Sequence, residues 1–206
     1  MGRNAQGELT SIWTPANVIT CIRICFIPVF MLLATQSRDV AGALTQPALA
    51  IGACILYILL SLTDKLDGSL ARKRNEITDF GKFLDPIADK LLVFSALLLL
   101  LADGYVNVWF VFIILFREFL VSALRMVASA AGEVIAADKL GKAKTAVTMV
   151  SLCGFYVSFG LTSLGVATLS EWILGISQAL MIAAVVLTVV SGLQYFWNAR
   201  KVVFRV

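Results

Sequence analysis

Long apolar runs alternate with short polar stretches along the chain, and the runs recur at close to the length of a bilayer. They occupy residues 18–35, 48–70, 83–102, 106–130, 143–164 and 172–198. A helix needs about 20 mostly apolar residues to cross a hydrocarbon core about 30 Å thick. The pattern therefore predicts an all-α integral membrane protein with six transmembrane helices. The first run reads as the least apolar, so the competing count is five spans plus one interfacial helix. Ahead of it, Thr14-Pro15-Ala16-Asn17 has the form of an N-cap followed by proline at the first helical position. Inside it, Pro28 predicts a kink, and Arg23 predicts a long cation that snorkels to the interface. Leu164 and Trp172 bracket a connector between the last two runs.

Composition agrees with the periodicity. Of 206 residues, 60% are hydrophobic and the mean hydropathy is +0.91, whereas soluble domains are usually about half apolar or less. Residues 1–14 are polar and carry no cleavable signal pattern, so they read as a short cytoplasmic and interfacial lead-in. Residues 199–206 read as a basic tail, and 1–206 as a single domain. The connectors after the first, third and fifth runs contain one cation, Arg38. Most of the other Lys and Arg, of 17 in all, fall on the opposite side. By the positive-inside rule both termini and the 64–89 stretch are cytoplasmic. The net charge of +4 comes with no basic stripe on a soluble face, which argues against nucleic acid as a partner. The chain has no His, so the usual zinc ligand and the usual neutral-pH base are missing. Cys21, Cys25, Cys54 and Cys153 lie in apolar runs with no Cys-x-x-Cys, as small apolar helix residues do.

The polar chemistry concentrates between the second and third runs. On a helix, Asp64, Asp67, Gly68 and Ala71 share one face, and on the next helix Gly81, Asp85 and Asp89 do the same. Pro86 fits the first turn of that second helix. Arg72, Lys73 and Arg74 read as the loop between the two. Two adjacent helix ends can thus direct four carboxylates at one small volume. Such a cluster is costly at a membrane boundary unless cations sit within it. Carboxylate oxygens suit Mg²⁺ or Mn²⁺, and four of them suit a pair of ions of the kind that assists phosphoryl transfer. Gly68, Ala71 and Gly81 let a ligand approach the backbone, and Arg72 can fork onto a phosphate. Any one of these acids could be an ordinary solvated helix cap; all eight positions together are far less readily explained that way.

The pattern Asp64-x2-Asp67-Gly68-x2-Ala71-Arg72-x8-Gly81-x3-Asp85-x3-Asp89 resembles the signature of the CDP-alcohol phosphatidyltransferases, with every position filled. The resemblance implies six membrane helices, a homodimer and a cytoplasm-facing site with two divalent cations. An acceptor hydroxyl would attack the lipid-side phosphorus of a CDP-alcohol and release CMP. By position in the signature, Asp64, Asp67 and Asp85 would ligate metal, and Asp89 would be both ligand and general base. Gly68, Ala71, Arg72 and Gly81 would shape the CDP pocket.

The signature leaves the acceptor open. Arg117 and Arg125 lie two turns apart on the fourth run, and Lys142 and Lys144 open the fifth from the same side. Four cations beside the carboxylates suggest a pocket for a phosphorylated acceptor. Neighbouring positions on a helix do not face each other, so Arg117 is expected to be free of Glu118. Thr14-Pro15-Ala16-Asn17-x2-Thr20-x2-Arg23, Arg117-Glu118-x6-Arg125 and Gly141-Lys142-x-Lys144-Thr145 are similar to stretches of the bacterial branch whose acceptor is sn-glycerol 3-phosphate and whose donor is CDP-diacylglycerol. That resemblance adds Asn17, Thr20 and Arg23 as pocket candidates and implies a place in the bacterial cytoplasmic membrane. Inositol phosphate would need similar cations. A divalent-cation transporter is the reading from another class, but its acids would lie near the bilayer midplane. Here they lie at helix ends. Residues 165–206 show no motif beyond a spanning run and a basic tail.

Overall fold

A computed structural model describes residues 2–3, 9–10, 14–38, 45–74, 79–130 and 139–203. Its side chains are described in these ranges except at 2–3, 9–10, 16, 64–74, 79, 82, 129–130, 139, 198–199 and 201–203. Most of the 1–14 lead-in and the end of the 199–206 tail therefore lie outside the described residues.

The described residues form six helices: α1 (Pro15–Gln36), α2 (Pro47–Arg74), α3 (Asp79–Ala102), α4 (Val108–Ala130), α5 (Lys139–Ser163) and α6 (Ala167–Val203). A two-residue antiparallel pair, β1 (Gly2–Arg3) with β2 (Leu9–Thr10), precedes them, a small departure from the all-α expectation. Asn17–Gln36, Leu140–Ser163 and Ala167–Trp197 are each long and apolar enough to cross a membrane, and Pro47–Thr63 is a shorter apolar stretch. Far from being the least apolar, α1 is more apolar over its span than α5. The apolar runs of α3 and α4 are broken by Asp85, Asp89 and Lys90 and by Arg117, Glu118 and Arg125.

Thr14 caps α1, its hydroxyl accepting from the Asn17 amide at 3.3 Å with Pro15 at the first position. The helix then continues through Pro28 to Gln36. Its inward stripe is Thr14, Asn17, Thr20, Arg23, Ile27, Phe30 and Ala34, all buried. Arg23 is only 2% exposed, so it does not snorkel. Its spacing from Thr20 and Ile27 places it on the packed face, where the stem cannot reach water.

Helix α3 begins at Asp79, which puts Pro86 in its interior rather than in its first turn. Proline has no N–H to donate to the carbonyl four residues back, so the backbone is one bond short a turn before Asp89. Arg72, Lys73 and Arg74 continue α2 to its end and are not a loop. At the other end of the bundle, Gly104 and Gly165 take φ values of 74° and 79° in the tight α3–α4 and α5–α6 turns. Side-chain-bearing residues rarely adopt that conformation. The α5–α6 connector is much shorter than the pattern suggested, because α6 starts at Ala167.

Packing joins α1 to α2 and α3, α2 to α5, and α6 to both α5 and α4. Phe30 of α1, Tyr57 of α2 and Tyr156 of α5 meet at the centre, with ring centroids 4.7–5.2 Å apart. Away from the 64–89 stretch, the Arg38 Nε sits 3.2 Å from Asp103, and the guanidinium stacks 3.9 Å from the centre of the Phe159 ring. Burial raises the Asp103 carboxyl above its ordinary range, an effect that Arg38 opposes.

The α5–α6 pair is zipped by hydroxyls. Ser151 donates to the Ser177 carbonyl at 2.7 Å, and Ser158 donates to the Ser170 carbonyl at 3.0 Å. Between them a Cβ on Gly154 would fall 2.1 Å from the Ser177 Oγ and 3.3 Å from its Cβ. Gly154→Ala should therefore wedge the helices apart and cost about 1–3 kcal/mol of stability. Thermal unfolding in detergent measures this, and an unchanged midpoint would mean that the pair tolerates separation.

Candidate active site

The described candidate residues lie in the N-terminal halves of α1, α3 and α5, the middle and C-terminal half of α4 and the C-terminal half of α6. Gly81, Asp85 and Asp89 lie on one stripe of α3, as their spacing predicts. Gly81 is buried, Asp85 exposed and Asp89 half-buried. The fully buried Thr20 donates its hydroxyl to Asp85 Oδ1 at 2.9 Å. This bond ties the polar end of the α1 stripe to the candidate metal ligands. The buried Asn17 and Arg23 flank Thr20 on the same stripe.

Asp64, Asp67, Gly68, Ala71 and Arg72 fall on the last turns of α2. Their side chains lie outside the described residues, so the meeting of four carboxylates is not visible. Among the described residues no three acidic or sulfur side chains cluster. The two acids that can be seen nevertheless have the right character for a hard cation. Both are oxygen donors one turn apart, and Asp85 keeps lone pairs open to solvent while Thr20 fixes its orientation.

Asp89 opens onto a small cleft lined also by Lys90, Val93, Phe94, Glu118, Lys144, Thr145 and Thr148. Three helices meet there. Lys144 of α5, 3% exposed, donates to the Glu118 carboxylate of α4. Arg117 Nη1 reaches the same carboxylate at 3.2 Å. Arg117 and Glu118 therefore do pair, against the expectation from helix spacing. The reason is tertiary: Lys144 fixes the carboxylate from α5, and the guanidinium is long enough to fold onto it. Lys90 donates to the Ser122 hydroxyl at 2.5 Å, and Ser122 donates to the Glu118 carbonyl.

The four predicted cations are thus distributed unequally. Arg117 and Lys144 share Glu118. Arg125 is exposed and packs on α6, its Nε donating to the Tyr195 hydroxyl at 3.2 Å. Lys142 is exposed at the start of α5.

Three groups with no place in the sequence reading prove to be part of this arrangement: Ser191, Gly192 and Tyr195 of α6. Arg117 Nη2 donates to Ser191 Oγ at 3.3 Å. Ser170, Ser177, Met181, Ala184, Thr188, Ser191 and Tyr195 are buried along one side of α6, and with Leu174 they form an unbroken three-four repeat. A search for that period with small residues admitted would have found them, because serine and glycine are invisible to a hydropathy reading.

The sequence model of a family described as CDP-alcohol phosphatidyltransferase matches residues 13–190. The chain is 40% identical over 195 residues to a Bacillus subtilis protein, with 90% of this chain and 96% of that protein covered. It is 35% identical over 185 residues to a Rickettsia felis protein, covering 90% and 94%. Both are named CDP-diacylglycerol–glycerol-3-phosphate 3-phosphatidyltransferase.

Proposed function

This chain belongs to the CDP-alcohol phosphatidyltransferase family, and from that membership we propose that it transfers the phosphatidyl group of CDP-diacylglycerol to sn-glycerol 3-phosphate. The products are phosphatidylglycerophosphate and CMP. The observation that carries the acceptor is buried Lys144 on the cleft that Asp89 lines, where it shares the Glu118 carboxylate with Arg117. With Glu118 between them, the two cations keep one net positive charge, which a phosphate monoester suits and which choline or a neutral alcohol would not offset. The relatives bearing the same reaction in their names support this choice.

Asp64, Asp67, Asp85 and Asp89 would hold two divalent cations, Mg²⁺ or Mn²⁺, whose charge offsets that of the diphosphate and eases departure of CMP. Gly68, Ala71, Arg72 and Gly81 seat the cytidine diphosphate. Arg117 and Lys144, with Arg125 and Lys142 at the rim, hold the acceptor phosphate, and Asn17, Thr20 and Arg23 complete the polar wall behind Asp85. Asp89 takes the proton as the acceptor hydroxyl oxygen bonds to the lipid-side phosphorus and the bond from that phosphorus to the CMP oxygen breaks.

The charge distribution supports six spans with both termini and the site on the cytoplasmic face. The chain functions as a single membrane domain and a homodimer in a bacterial cytoplasmic membrane. The test is CMP release by the purified protein from CDP-diacylglycerol with Mg²⁺ or Mn²⁺ and a panel of acceptors. Release is expected with glycerol 3-phosphate and is expected to stop when EDTA removes the metal. Release driven instead by inositol phosphate would reassign the acceptor, and EDTA-insensitive turnover would overturn the metal assignment.

A further inference from the structure

We propose that Ser191 and Gly192 of α6 are positioning residues for Arg117, so that the last helix sets the affinity for the acceptor. The proposal rests on the reading of Arg117 as an acceptor-phosphate ligand.

Arg117 is held at its stem and at both terminal nitrogens, while its buried Nε has no hydrogen-bond partner among the described residues. Its stem crosses α6 at Gly192, where a Cβ would stand 3.1 Å from the arginine Cγ. Its head passes α5 at Gly141, where a Cβ would stand 3.3 Å from Nη2. The two guanidinium nitrogens are then fixed by different helices, Nη1 by Glu118 of α4 and Nη2 by Ser191 of α6. Ser191 is itself completely buried and also bonded to the Thr188 carbonyl, so it is a fixed post. A side chain pinned at its far end cannot relieve a clash at its Cγ by swinging away. A methyl at 192 must therefore move the guanidinium or part α6 from α4. Glycine here serves close approach, not backbone conformation.

Small displacements of a binding group have large consequences when geometry is shared between several helices. Gly192→Ala is expected to raise KM for glycerol 3-phosphate by about tenfold, leaving KM for CDP-diacylglycerol within about twofold. Ser191→Ala removes one oxygen from a contact that other groups share, and should raise the same KM by about threefold. In a double-mutant cycle, Gly192→Ala should add almost nothing to Arg117→Ala, because both act through one guanidinium.

The measurement is initial-rate CMP release, with each substrate varied in turn, for the two single variants, Arg117→Ala and the double variant. Selective, non-additive loss of acceptor affinity supports the proposal. Equal loss for both substrates, or full additivity with Arg117→Ala, would reduce Gly192 to ordinary packing and overturn it. An unchanged acceptor KM in both Gly192→Ala and Ser191→Ala, with Arg117→Ala impaired, overturns the proposal but spares the acceptor pocket. An unchanged acceptor KM in Arg117→Ala overturns the pocket reading and this proposal with it. If Gly192→Ala does not fold, Ser191→Ala and its cycle with Arg117→Ala decide the matter alone.

Discussion

Asp89→Asn is expected to reduce CMP release by about 10²–10⁴-fold, the usual worth of a positioned general base. The substitution keeps the shape of the side chain and one of its oxygens, so α3 should pack as before. CDP-diacylglycerol should still bind in the presence of metal. The case for Asp89 over Asp85 is geometric. Thr20 already donates to Asp85, whereas Asp89 faces the cleft that Glu118 and Lys144 also line. Of the two, Asp89 is the one that shares a cleft with Lys144, the buried cation assigned to the acceptor phosphate. Single-turnover CMP release, measured together with CDP-diacylglycerol binding, separates chemistry from affinity. Near-normal turnover in Asp89→Asn would remove the base assignment.

The second large effect is expected at Lys144. Its ammonium is buried at the base of the cleft, while Lys142 is exposed two residues earlier. Lys144→Met should raise KM for glycerol 3-phosphate by about 10²-fold, in the range seen when one partner of a buried charge pair is lost. Lys142→Met should have a several-fold smaller effect, because an exposed cation acts through screened solvent. Lys144→Met also leaves Glu118 short of a cation, so some loss of thermal stability should accompany the kinetic change. Comparing the two variants at matched ionic strength tests the ranking. Equal KM values would mean that depth in the cleft does not govern the phosphate contact.

Much of this was legible in the chain because each signal was local. Thr14-Pro15 marked the start of α1, since capping depends on neighbouring residues. The six apolar runs gave the six helices, and the spacing of Gly81, Asp85 and Asp89 gave their common stripe. The departures arose where another helix decides the outcome. Arg23 was placed by its neighbours at the interface, yet α1 turns it inward with Thr20 and Ile27. Arg117 and Glu118 are poor partners on an isolated helix, and Lys144 of α5 draws them together. Pro86 looked like a helix start because the apolar run begins beside it, whereas the helix extends back through the polar residues to Asp79. The three-four repeat of α6 was missed because most of its members are hydroxyl-bearing residues.

Helix α6 also serves as a depth gauge. Ser191 lies 24 residues beyond Ala167, roughly 36 Å along the axis at 1.5 Å per residue. With Ala167 at one hydrocarbon boundary, the hydrocarbon ends roughly 30 Å away, and a tilt of about 20° shortens the climb by only about 2 Å. On that placement the post that holds Arg117 would stand just past the acyl chains, among the headgroups. A water-soluble phosphate can arrive there without entering oil, and a lipid can present its diphosphate there without leaving the leaflet. Lengthening or shortening α6 by one turn between Ala167 and Ser191 would shift that meeting point by about 5 Å along the bilayer normal.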